Sequence, residues 1–125
     1  MNASLVTLAK KGVTMSRPSG AKIRAIIKRP DEQYGHVSNI SPSLKNLQKT
    51  VEGYIERVKI CDGVAMLINE DGKYCCMPRN FQFGNYPTNT IIAGTVVIVG
   101  EENGEFTDCP LDFGMWKKLL KGWGN

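Results

Sequence analysis

The segment Ile91–Val99 constrains the fold more than any other, because it is apolar throughout except at Gly94 and Thr95. It is far shorter than the ~20 apolar residues a membrane-spanning helix needs. A short continuous apolar run suits a strand buried on both faces, which is the middle strand of a sheet. The rest of the chain has to supply its neighbours and cover both of its faces.

The flanking segments read as those neighbours. Lys22–Lys28 has the composition of a strand stopped by Arg29-Pro30, and Tyr34–Ile40 is short and polar enough for a sheet edge. Ser41-Pro42-Ser43 then opens a helix, with Ser41 or Ser43 as cap. Leu44, Leu47 and Val51 lie on one side of that helix, and Glu52-Gly53 closes it. Tyr54–Ile60 alternates apolar and polar residues, Asp62-Gly63 turns the chain, and Val64–Asn69 is a second buried strand. Asp71-Gly72 carries a strong hairpin signal and predicts a further strand over Lys73–Met77. Pro78–Thr90 reads as a polar and aromatic loop, and Leu111–Gly122 as a short helix. The expected order is β-β-α-β-β-β-β-α. It describes an α+β fold: a twisted, mainly antiparallel sheet of five to six strands, one packed helix and a short C-terminal helix.

Residues 1–20 read as a flexible basic extension and 21–125 as one domain, the usual content of a chain of 125 residues. Lys11–Thr14 can be encoded by a purine-rich stretch just upstream of a start codon, so Met15 is the expected true start. A native N-terminus mapped at Met1 by mass spectrometry would exclude this. No signal peptide is read at the N-terminus. Cys61, Cys75, Cys76 and Cys109 make no C-x-x-C pair, and one histidine cannot complete a zinc set. Reduced cysteines and no metal are expected, with Cys75 and Cys76 pointing to opposite faces of a strand.

The net charge of +4 is unevenly spread. Residues 1–30 hold seven basic residues (Lys10, Lys11, Arg17, Lys22, Arg24, Lys28, Arg29) and no acidic one. Such an asymmetry fits a basic arm for nucleic acid. It also fits a strand whose Lys22, Arg24 and Lys28 alternate toward solvent, and this is the expectation adopted.

Catalytic constellations are not evident. His36 is the single histidine and reads as a surface strand residue, and no phosphate-binding glycine motif occurs. Asp62, Glu70 and Asp71 fall in turns, where carboxylates serve turn geometry. A non-enzymatic role without cofactors follows. Residues 77–90 gather one arginine, three asparagines, one glutamine and three aromatics. Phe81, Phe83 or Tyr86 can stack a base, Asn80, Gln82 or Asn89 can pair with polar edges, and Arg79 can meet phosphate. The same residues can instead plug the sheet end and cap turns. Arg57, with Lys59 on the same side of its strand, offers further cations for phosphate, or pairs with Glu56 or Glu70. Trp116, Leu119, Leu120 and Trp123 form an apolar surface that docks on the sheet or on a second subunit.

The run Leu44, Leu47, Gln48 and Val51–Glu56, then Asn69–Lys73, Met77–Asn80 and Ile91–Gly100, resembles a family of small uncharacterised proteins carried by bacteriophages, prophages and plasmids. The likeness covers residues 22–108 and is most specific at Gly53–Glu56. In length and strand order the chain is also similar to the anti-Thoeris sponges. The resemblance implies a mobile-element protein in a host cytoplasm that sequesters a cyclic nucleotide or cyclic ADP-ribose immune signal without cleaving it. It further implies a homo-oligomer with Arg57 of one subunit near the loop of another, and no membrane. An anti-CRISPR or other protein-blocking inhibitor of a host defence enzyme is the alternative, and a nucleic-acid-binding accessory protein a second.

Overall fold

The apolar run divides in two. Gly94 takes φ +83°, a left-handed conformation that glycine adopts without steric cost, and its missing Cβ leaves room for the Met77 sulfur. The chain therefore ends one strand at Ala93 and starts another at Val96. The structure, a computed structural model, describes residues 21–125. The expected Met15 start and the 1–20 extension lie outside the described residues.

The elements are β1 (Ile23–Lys28), β2 (His36–Ile40), α1 (Leu44–Val51), β3 (Ile55–Cys61), β4 (Val64–Asn69), β5 (Arg79–Phe83), β6 (Thr90–Ala93), β7 (Val96–Glu102), β8 (Glu105–Thr107) and α2 (Phe113–Gly122). The main sheet runs β2-β1-β7-β4-β3, with β8 paired to the end of β7, and every pairing is antiparallel. The apolar strand β7 is central and β2 lies at an edge, as the sequence predicts. A separate β5-β6 hairpin makes a second, two-stranded sheet. At Gly100 a Cβ would fall on the Asp108 carbonyl oxygen, so only glycine fits where the chain after β8 comes back against β7.

Alternation along the strands gives the sheet two buried faces. Ile23, Ala25, Ile27, Ala65, Leu67, Val97 and Val99 share one core with Leu47 and Val51 of α1. Ser43 caps this helix by accepting from the Asn46 amide, and Glu52 closes it in a left-handed conformation. Ile26, Met66, Val96 and Ile98 point the other way. There they meet Phe81 and Ile92 of the hairpin and Trp116 and Leu120 of α2. The layers are thus α1, sheet, and a mixed layer of α2 with the hairpin. The Trp116 and Leu120 side of α2 docks on the chain's own sheet.

Two further expected elements differ. Lys73–Met77 is no strand: residues 70–76 are consecutive turns. β4 already carries β3 on one edge and β7 on the other, so a hairpin partner after Asn69 has no free edge to join. Asn69 instead uses its side chain to fold the chain, accepting from the Asp71 amide at 2.7 Å and donating to the Val51 and Glu52 carbonyls. Cys75 and Cys76 are therefore not on opposite faces of a strand. The Pro78–Thr90 loop is half strand, because Phe81 and Phe83 alternate with Gln82 and pair across to β6. Among the described residues no helix is long and apolar enough to cross a membrane.

Candidate functional site

The hairpin brings part of the expected set together and turns much of it inward. Phe81 is 2% exposed, stacked on Trp123 and edge-on to Trp116 at 5.7 Å. Phe83 is half-buried with its ring centroid 4.9 Å from that of Trp123. Asn80 donates to the Lys28 and Gly94 carbonyls, both at 2.8 Å, and accepts from Lys28 Nζ at 2.6 Å. These three side chains hold the second core face together. Arg79 is exposed at the open end of the hairpin, Tyr86 is 88% exposed at its turn, and Asn89 is half-buried beside that turn.

Arg57 stands elsewhere. It shares the α1 face with Ile55, on the side of the sheet opposite Phe81, and its Nε donates to Glu101 Oε1 at 2.7 Å. Its partner is Glu101 and neither Glu56 nor Glu70. Neighbouring Lys59 pairs with Asp62 at 2.9 Å, and that lysine draws the exposed Asp62 carboxyl below its ordinary value. Within one chain, Arg57 and the hairpin do not share a surface.

The basic β1 residues are corrected as well. Lys28 is 3% exposed rather than solvent-facing, because its face of β1 is covered by the α2 and hairpin layer. Its Nζ donates to the Glu32 carbonyl at 2.7 Å and to Asn80, and sits 5.7 Å from the Phe81 ring centroid. Burial pushes its pKa down, against the opposing pull of Glu32 and Asp31. Arg24 is half-buried and donates through Nη1 to the Cys109 and Leu111 carbonyls. Two of the four cations a nucleic-acid arm would use in the described residues are thus committed internally.

A different cation set faces outward. α2 carries Lys117, Lys118 and Lys121 and no acidic residue. Lys117 Nζ lies 5.1 Å and Lys121 Nζ 5.7 Å from the Tyr34 ring centroid, and Lys117 is also 5.7 Å from that of Phe113. The ring is placed by the helix beneath it: Trp116 Nε1 donates to the Tyr34 carbonyl at 2.8 Å. None of the ion pairs among the described residues includes these three lysines. Glu32, in the same turn as Tyr34, is committed to the Arg29 amide and His36. Burial raises its pKa, but those two hydrogen bonds together with the charges of His36 and Arg29 outweigh it and hold the carboxyl below its ordinary value. Two ammonium groups gathered on one aromatic ring repel each other, and an anion set between them turns that repulsion into attraction.

Sequence reading missed this set. Lys117 and Lys121 stand at i and i+4, which places them on one side of a helix. Their meeting with Tyr34, distant in the chain, is set by the docking of α2. Among the described residues no group of three or more histidine, cysteine, aspartate or glutamate side chains is placed to hold a metal ion.

No curated protein and no solved structure matches this chain. A family model described as "Domain of unknown function (DUF3846)" matches residues 23–121, from β1 to the last turn of α2. The match spans the sheet, the hairpin and both helices, and the chain belongs to this DUF3846 family.

Proposed function

We propose that this protein binds a small phosphate-bearing, nucleotide-like ligand at the α2 surface and holds it without cleaving it. The single observation that carries the reading is the pair Lys117 and Lys121 on the Tyr34 ring, with no carboxylate partner among the described residues. Lysine is a point-charge binder of phosphate, and the ring limits how far its flexible ammonium groups wander. Exposed Lys118 adds to the positive field of the same helix.

Within this reading the chain is a counter-defence protein of a bacteriophage, prophage or plasmid. It acts in a host cytoplasm by capturing a cyclic nucleotide or cyclic ADP-ribose signal, and a homo-oligomer would supply further walls to a shallow surface. Capture by occupancy requires no catalytic group. Arg79 and Tyr86 remain accessible for contact with a bound ligand or a second subunit; Asn80 and Phe81 act through folding.

Thermal melting against a panel of cyclic ADP-ribose isomers and cyclic di- and trinucleotides tests the proposal. A ligand at a hundred times its dissociation constant adds ~2.7 kcal/mol, a rise of several degrees in Tm. The rise should appear with one class of compound, and the compound should return unaltered on denaturation. A panel without any shift, together with a stable complex with a host defence enzyme, would transfer the reading to protein blocking.

A further inference from the structure

Four cysteines occur in the chain, and only Cys109 has a packing role: it is buried in the core beside Leu111. Cys61 is exposed at the end of β3. Cys75 and Cys76 are adjacent, both exposed, and in neither core. In a strand, neighbouring side chains diverge to opposite faces, which would keep two adjacent thiols apart. Here residues 70–76 are successive turns, held by Cys75 N–H to the Asp71 carbonyl at 2.8 Å and Met77 N–H to the Gly72 carbonyl at 3.1 Å. Cys76 sits at φ +58°, a left-handed conformation uncommon for any residue with a side chain. The fold thus holds a strained backbone at an exposed dithiol that contributes nothing to either core, and such strain is a pointer to function.

We propose that Cys75 and Cys76 form a two-thiol site for a thiophilic species that bridges two sulfurs, of the class of trivalent arsenicals. With an organoarsenic oxide the step balances without redox change. Two As–S bonds form, the arsenic–oxygen bond breaks, and the two thiol protons leave with that oxygen as one water. Arsenic stays trivalent throughout. Both thiols are open to a reagent from solvent, and neither belongs to a core cluster. The site is independent of the lysines on α2.

The test uses the full reduced chain and phenylarsine oxide, read by intact mass. One phenylarsenic adduct per chain is expected, retained in excess monothiol and removed by a 1,2-dithiol. Cys75→Ser and Cys76→Ser should each abolish the monothiol-resistant adduct, whereas Cys61→Ser should keep it, with all three melting like the parent. The proposal is overturned if the adduct washes out in monothiol, if it fails to form, or if it persists in Cys75→Ser.

Discussion

Asn80 and Lys28 show how residue chemistry suited to a ligand is spent on the fold. Both Asn80 amide N–H groups are taken by carbonyls and its oxygen already accepts from an ammonium group, so it has no donor to offer a nucleotide. Asn80→Ala leaves the Lys28 ammonium and the two carbonyls short of partners, at about 1–3 kcal/mol. A urea melt of that variant should show the loss, while ligand affinity at the α2 surface is unchanged. Lys28 yields a pH dependence of definite sign. Its folded pKa lies below the ordinary 10.5, so between those two values the unfolded chain binds more protons. Its contribution therefore rises with pH across that window and is smallest below the folded pKa. The stability difference between wild type and Lys28→Met should shift toward wild type as the pH is raised through the folded pKa toward 10.5. A flat difference, or one moving the other way, would remove the buried ammonium from the account.

At the scale of elements, the edge of β5 is completed by a side chain. Asn125 accepts from the Gln82 amide at 2.9 Å and donates to the Gln82 carbonyl at 2.8 Å, imitating a strand neighbour. Asn125→Ala should cost about 1 kcal/mol and speed hydrogen exchange at Gln82 well before the amides of β7 respond. Trp116 joins α2 to both the hairpin and the Tyr34 turn. Its truncation to alanine should cost about 3–5 kcal/mol by chemical denaturation, more than any hairpin polar substitution. The element scale is also where sequence reading succeeded and failed. The central strand, the edge strand, the capped helix and the C-terminal helix were legible because burial and capping leave local periodic marks. The Lys73–Met77 strand was misread because the Asp71-Gly72 signal is local, while the occupancy of both β4 edges is a property of the whole sheet. The hairpin strand β5 was hidden in a segment whose composition suggests a loop, although Phe81 and Phe83 around Gln82 already alternate.

For the molecule as a whole, the three layers decide which chemistry reaches solvent. Candidates chosen by residue type alone were scattered by the fold: Arg57 to one sheet face, Phe81 and Asn80 into the other, Arg79 and Tyr86 to opposite ends of the hairpin. The Lys117, Lys121 and Tyr34 set was illegible in the sequence, since no local pattern ties a turn after β1 to the C-terminal helix. Packing of Trp116 creates it. A ligand held there by lysines should also lose affinity steeply with salt, because exposed charges are screened over about 8–10 Å at physiological ionic strength. The central claim is that these lysines bind a nucleotide-like anion. Calorimetric titration tests it most directly, with the compound that raises Tm run against wild type and against a Lys117→Gln, Lys121→Gln double variant that melts like the parent. The account predicts saturable binding by wild type and at least a tenfold loss in the double variant, about 1.4 kcal/mol or more. Equal affinity in the two proteins would contradict it.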